Sequence, residues 1–398
     1  MKLGDSVLIM EMGAALFSAL LIFYVAYFLL MRKKCLEWDS KSCFSEPGEI
    51  PSVSVIIPAY NEEKSIVRKL ENLREQAYPI IEVVVVNDGS TDDTAKMVRS
   101  IIDRSSSPFQ VQLVNLSNRE GKASALNHAW RHCKGEIIII SDADTILGED
   151  TITHLVSNFR DPNVGAVTGK LSMINYEDSS STRIEKTYRN IFDMLRLGES
   201  CMDSTPVFNG GLVALRRSLF ENLKSDTLAD DTEISLRIRE KGYKAIFDPT
   251  AKVYAFTPKS FKFRAKQKIR RAQGIIQSLI WHRQMLFNRK YGKYGLIILP
   301  CEFFMHIISP ILLVLTAILF LSILLSASFA LTNLAIILGF GIVVFGLISI
   351  ALSCISKNRN PGNSTKIFVT FLEHQIFLAL GLLFLLLRKG NSKWDKIE

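Results

Sequence analysis

The chain has 398 residues, of which 48% are hydrophobic, and a formal net charge of +9. The apolar residues are gathered in long blocks, which excludes a chain made only of soluble domains. Much of the positive excess, in Arg32, Lys33 and Lys34 and across residues 259–293, flanks those blocks. Attraction to anionic lipid headgroups explains it better than a nucleic-acid partner does.

Residues 7–31 form the first block, interrupted only by Glu11. About 20 apolar residues cross a bilayer, so this block is expected to be a membrane span, and it is too long for a cleaved leader. Arg32, Lys33 and Lys34 follow it at once and place the next segment in the cytoplasm. The six cysteines make no CxxC pair and no metal spacing with histidine, so they read as reduced thiols. A polar linker carrying Pro47, Gly48 and Pro51 then leads to strand and helix signals in alternation. Strands are predicted over 53–57, 81–86, 111–114 and 136–141, and helices over 64–76, 92–102, 123–133 and 150–159. Such alternation predicts βαβ units, a parallel sheet and a Rossmann-like first half. Further on, strands are expected at 164–171 and 212–215, and helices at 183–197 and 231–241. Residues 261–287 read as a basic amphipathic helix lying in the membrane interface. Three more apolar stretches follow, at 296–325, 334–355 and 367–387, and Pro300 and Pro310 are expected to divide the first into an interfacial helix and a span. The organisation predicted is a span (1–32), a linker (33–51), a cytoplasmic domain (52–257), interface helices (258–295), a membrane region of about three spans (296–388) and a tail (389–398). With four spans both termini lie outside, whereas Arg388, Lys389, Lys393 and Lys396 favour a cytoplasmic C-terminus.

Three polar clusters fall after neighbouring strands. They are Pro58-Ala59-Tyr60-Asn61-Glu62, Asn87-Asp88-Gly89-Ser90-Thr91-Asp92 and Asp142-Ala143-Asp144. Ligands of open α/β sheets bind at the carboxyl ends of strands, so the clusters define one crevice, although turn chemistry alone also selects these residue types. Asp142 and Asp144, one residue apart, can both reach a hard divalent cation, or can simply end a strand and cap a helix. Lys122 opens a helix beside Gly121, where a point charge and unpaired backbone donors suit phosphate. Asp230 and Asp231 stand in a first helical turn, which the helix dipole alone would favour. Asn209-Gly210-Gly211 is a turn that permits close backbone approach.

In this order the motifs resemble the inverting nucleotide-sugar glycosyltransferases of family 2, especially the membrane-embedded cellulose, hyaluronan and poly-N-acetylglucosamine synthases. The likeness runs over about residues 52–274. It implies an α/β, Rossmann-like GT-A domain with transmembrane helices on both sides. By that resemblance Pro58, Ala59, Tyr60 and Glu62 shape the nucleotide pocket and Asp88 binds the base, with Asn87 a variant ahead of it. Lys122 would contact the donor diphosphate, Asp144 would hold Mg2+ or Mn2+, and Asp142 would share the metal or meet the donor sugar. Asp231, beside Asp230, would be the general base. Asn209, Gly210 and Gly211 would line the acceptor site. Gln267 and Arg270 match a Gln-x-x-Arg-Trp element in which Arg270 would clamp the diphosphate. Arg271 stands where processive members carry an acceptor-stacking tryptophan, which weakens the inference of long-chain processivity.

The function implied is transfer of a sugar, from a UDP-linked donor, to a growing polysaccharide or a lipid-linked glycan, with one base and inversion. An alternative is a single addition to a polyprenyl or dolichyl phosphate or to a glycolipid. A non-enzymatic alternative is a nucleotide-binding membrane subunit. A transporter is disfavoured because the spans hold few ionisable groups, Glu302, His306, Glu373 and His374 among them. The partners expected are the donor, the acceptor and the lipid bilayer, without nucleic acid, and the location expected is the plasma membrane.

Overall fold

The computed structural model describes residues 3–38, 50–103, 108–258, 260–324 and 361–387. The expected stretch at 334–355 and the cations after Leu387 lie outside the described residues.

One mixed sheet carries the domain, in the strand order β3-β2-β1-β4-β7-β6-β8-β5. Strands β1 (Val53–Ala59), β2 (Ile80–Asn87), β3 (Gln110–Asn115) and β4 (Ile137–Ser141) are parallel, and they form the Rossmann-like half that the alternation predicts. Both faces of this half are covered. Val55, Ile57, Ile137 and Ile139 pack with α2 (Ile66–Arg74) and α3 (Thr94–Asp103). Ile56, Ile138 and Ile140 pack with α4 (Lys122–Ala129) on the other side. Burial on both faces is why the strands read as unbroken β-branched runs.

Beyond β4 the parallel pattern stops. β7 (Leu212–Arg216) runs antiparallel to β4 and to β6 (Val164–Met173). The strand β8 (Lys244–Ala255), parallel to β6, lies outside the predicted strands, and Pro249 stands within it. The proline is accommodated at a register shift, between the pairs Gly169 with Asp248 and Lys170 with Lys252. The two-residue β5 (Ile146–Leu147) completes the edge. The helices α5 (Thr151–Ser157), α6 (Ser180–Met202) and α7 (Asp230–Glu240) lie within or close to the expected ranges.

Among the described residues three helices are long and apolar enough to cross a membrane: Glu11–Cys35, Tyr294–Leu319 and Val369–Leu386. The first lies in α1 (Leu3–Cys35), which packs on α6 so closely that a Cβ on Gly198 would collide with the Met31 backbone. Tyr27 of α1 donates to Glu199 Oε1 of α6 at 2.6 Å. The basic helix is α8 (Phe261–Trp281), shorter than expected because His282 caps it. Pro300 and Pro310 do not divide the run that follows. Helical turns continue through α9 (Leu299–Phe303) and α10 (Ser309–Leu324), each preceded by a π-helical segment, Tyr294–Ile298 and Phe304–Ile308. A wider turn accommodates a ring that lacks an N–H and would clash with the carbonyl one turn back. The last described helix, α11 (Pro361–Leu386), packs against α8, with Arg264 Nη2 at 3.0 and 2.9 Å from the two carboxylate oxygens of Glu373.

Candidate active site

The expected clusters do share one sheet edge. Tyr60 follows β1, Asp88 follows β2, Lys122 opens α4 and Asp142 follows β4. Because β7 runs against β4, its start lies at the same edge, and Ser141 pairs with Leu212. This brings the glycine turn to the acidic turn: Asp142 N donates to Gly211 O at 3.4 Å.

On one side of the crevice the Arg119 guanidinium lies 4.1 Å over the Tyr60 ring. Asp88 is fully buried, and its two oxygens accept from the N–H groups of Glu120 (2.7 Å) and Gly121 (2.9 Å). Burial raises its carboxyl above the ordinary range, against the opposing effect of those bonds. In this arrangement Asp88 fixes the loop that starts α4, where Gly121 takes a φ of 101°. Glu62 is buried beside it, with its N–H on Thr94 Oγ1 at 2.7 Å and its side chain accepting from Ser65.

Lys122 occupies the centre. Its Nζ lies 2.9 Å from Asp142 Oδ1 and 3.1 Å from Asp230 Oδ2, and donates to Gly210 O at 3.4 Å. Burial alone would favour the neutral amine, but the Asp142 and Asp230 carboxylates outweigh it and hold the ammonium above its usual range. Asp230 is raised by burial and by Asp231 and Asp142, with Lys122 opposing. Asp144 is exposed to solvent on this turn, yet desolvation by the surrounding crevice and then the charges of Asp142 and Glu62 push its carboxyl up to about 6.

One residue was missed. Lys69 of α2 is buried beneath the acidic turn and donates to Ser141 Oγ (2.7 Å), Thr145 O (3.1 Å) and Thr145 Oγ1 (3.1 Å). It joins the two ends of the segment that carries both carboxylates. Burial drops its ammonium to about 7, although Asp142 and Asp144 oppose that shift. The signal was present: Ile66, Lys69, Leu70 and Leu73 follow the i, i+3, i+4, i+7 spacing of a buried face, so the lysine stands at a core position.

On the other side of the crevice Asp231 is buried, and its Oδ1 accepts from Thr232 N at 2.8 Å. Asn209 is buried and tied to Thr168 (3.1 Å) and Gly169 (2.8 Å). Arg271 Nη2 lies 2.6 Å from Phe208 O and 3.4 Å from Asp231 Oδ2. Gln267, one turn earlier on α8, is exposed, and Arg270 is half-buried. A cavity of about 700 Å3 lined by Tyr78, Glu136, Arg160 and Arg217 lies at the opposite sheet edge and takes no part in this constellation.

Among the described residues no three His, Cys, Asp or Glu side chains converge as a metal cage. Asp142 and Asp144 nevertheless suit magnesium or manganese. Such ions commonly bind through one or two carboxylates and complete their shell with substrate phosphates and water. Asp144 is crowded by like charge, the condition that a divalent cation relieves.

The mixed sheet and the crevice at its edge define a glycosyltransferase of the GT-A type. Residues 54–224 match the family model described as Glycosyl transferase family 2, and the chain carries a glycosyltransferase domain of that family. The chain is similar to the poly-beta-1,6-N-acetyl-D-glucosamine synthase of Staphylococcus aureus (strain COL), 27% identical over 258 residues, which cover 64% of the chain and 61% of the synthase. The Staphylococcus epidermidis synthase is 25% identical over 262 residues, covering 65% and 62%. The match therefore spans about three-fifths of the length of these curated relatives. Among solved structures, the mannosyltransferase PcManGT from Pyrobaculum calidifontis, in complex with GDP-Man and Mn2+, superposes with a TM-score of 0.76 at 29% identity. That match covers 96% of this chain and 99% of the other.

Proposed function

We infer that the chain is a membrane-bound inverting glycosyltransferase that moves a sugar from a nucleotide sugar to a polysaccharide or lipid-linked glycan. The observation that carries this reading is the convergence of Lys122, Asp142 and Asp230 on one point, with Asp231 beside them. Lys122, with Arg270, meets the donor diphosphate, and Tyr60 with Arg119 offers the base a flat surface. Asp142 and Asp144 hold Mg2+ or Mn2+, which supplies positive charge to the departing nucleoside diphosphate. Asp231 Oδ2 takes the proton of the acceptor hydroxyl. The acceptor oxygen bonds to the anomeric carbon as the bond from that carbon to the diphosphate oxygen breaks, and the electron pair leaves with the diphosphate. A positioned base commonly contributes about a hundred- to ten-thousandfold. With no enzyme nucleophile, the configuration inverts.

The synthase relatives favour a growing polysaccharide as acceptor, whereas the mannosyltransferase, in complex with GDP-Man, favours a GDP-sugar as donor. Arg271, in the place of a stacking tryptophan, supports the second reading, a single addition to a lipid-linked acceptor. The domain faces the cytoplasm of a multi-pass plasma-membrane protein, a reading supported by Arg32, Lys33 and Lys34 in the last turn of α1.

The test is transfer by purified membranes supplied with a panel of UDP- and GDP-sugars. Undiminished turnover by Asp231→Asn or Asp144→Ala protein sinks the assignment. A ladder of long products selects the synthase reading, and one added sugar selects the lipid-linked one.

A further inference from the structure

Helix α8 touches the segment that carries Asp231 at three positions along one stripe. Arg271 reaches Phe208 O at 2.6 Å and Asp231 Oδ2 at 3.4 Å. Three residues on, Gly274 lies so close to Ala229 that an added Cβ would sit 2.6 Å from the alanine Cβ. Three residues further, Gln277 accepts from Leu228 N at 3.0 Å and donates to Asp226 O at 3.1 Å. Residues spaced by three share a helix face, so one side of α8 grips the chain from Asp226 to Asp231.

The carboxylate of Asp231 has two oxygens with different duties. Oδ1 is held by the Thr232 N–H of its own helix, at 2.8 Å. Oδ2 looks toward Gly210, where an added Cβ would lie 3.4 Å away, and toward Arg271. The guanidinium is itself fixed by the Phe208 carbonyl, next to the turn of Asn209 and Gly210. It therefore ties α8, the glycine turn and the carboxylate together. α8 is anchored in turn on α11, through Arg264 with Glu373 and through Ala272, which would meet a Cβ on Gly381 at 2.8 Å.

We propose that Arg271 is the positioning residue for Asp231, holding Oδ2 toward the acceptor, so that the seat of α8 on the membrane helix α11 bears on transfer through this arginine. The inference rests on the base role given to Asp231 above. Arg271 neither gains nor loses a proton; it fixes the direction from which Oδ2 receives one from the acceptor hydroxyl. A misplacement of about 1 Å at a reacting group costs about a hundredfold in rate.

The full-length protein in native-lipid membranes is assayed with the donor it turns over best from the panel. Transfer and donor KM are measured for wild type, Arg271→Met, Arg271→Lys, Gly274→Ala and Asp231→Asn, with the melting temperature of each. Arg271→Met is expected to lower the transfer kcat by about ten- to a hundredfold while donor KM stays within about twofold. Arg271→Lys restores most of the rate, because a cation again faces Oδ2. Gly274→Ala, which pushes α8 away from Ala229, reproduces the kcat loss, and it keeps the question decidable where Arg271→Met fails to fold. Transfer by Arg271→Met within about twofold of wild type overturns the proposal. So does a donor KM that rises in step with the loss, since the arginine would then bind donor. Full turnover by Asp231→Asn removes the base role itself, a failure distinct from that of Arg271.

Discussion

Lys122 and Asp142 form an ion pair of 2.9 Å across the middle of the crevice, and Asp230 closes the same ammonium from the other side at 3.1 Å. The cation assigned to the diphosphate thus balances two carboxylates. For phosphate to reach the lysine, Asp142 has to find another positive partner, and a divalent ion arriving with the nucleotide is one. Asp142 keeps 34% of its side chain exposed, so removing the ammonium leaves two partly buried carboxylates whose charge solvent screens only in part. Lys122→Met is therefore expected to lower the melting temperature measurably and to raise donor KM at least about tenfold. Initial-rate kinetics and a thermal melt check both effects.

Asp144 is crowded by Asp142 and Glu62 and by the enclosing crevice. Chelation with EDTA is expected to abolish transfer, and Mn2+ or Mg2+ to restore it. Asp144→Asn keeps the shape of the side chain but removes the charge, so Mn2+ affinity should fall about tenfold to a hundredfold. Titration of Mn2+ by electron paramagnetic resonance, with and without nucleotide, measures this directly. Unchanged affinity in the variant would place the ion elsewhere.

Lys69 yields a pH prediction with a definite sign. Its ammonium is lowered to about 7 by burial, whereas an unfolded chain keeps lysine near 10.5. Between those values the unfolded chain binds more protons, so the folded state gains stability as pH rises through that window and lacks this gain below it. Lys69→Met should flatten the slope of melting temperature against pH between about 7 and 10. A slope equal to that of wild type would mean that the buried amine stays fully charged.

Gly198 faces the backbone of Met31 with no room for a side chain. Gly198→Val is expected to separate α1 from α6 and to cost about 1 to 3 kcal/mol, read as a lower melting temperature in detergent. Donor affinity should change little, because the contact lies away from Lys122 and Asp142.

The isoleucines Ile137 to Ile140 announced a buried strand because both faces of the sheet are covered, and residue pattern reports burial directly. Strand direction left no such trace. Nothing in Leu212 to Arg216 distinguishes an antiparallel partner of β4 from a parallel one, since both fill the same layer. Pro249 stands within β8, where a proline is compatible with a strand only because the register slips, and the slip belongs to the partner as much as to β8. The polar residues at strand ends were legible as a set, because topology brings strand ends together. Their individual partners were not. Asp88 turns to backbone N–H groups and Arg271 to Asp231, and both contacts depend on segments distant in sequence.

The reversed pairing of β7 against β4 also bears on motion within the crevice. Since Asp142 N is bonded to Gly211 O, and Ser141 Oγ to the same carbonyl at 3.3 Å, the acidic turn and the glycine turn belong to one block with no hinge between them. A displacement of the glycine turn is expected to carry the acidic turn with it through these two hydrogen bonds.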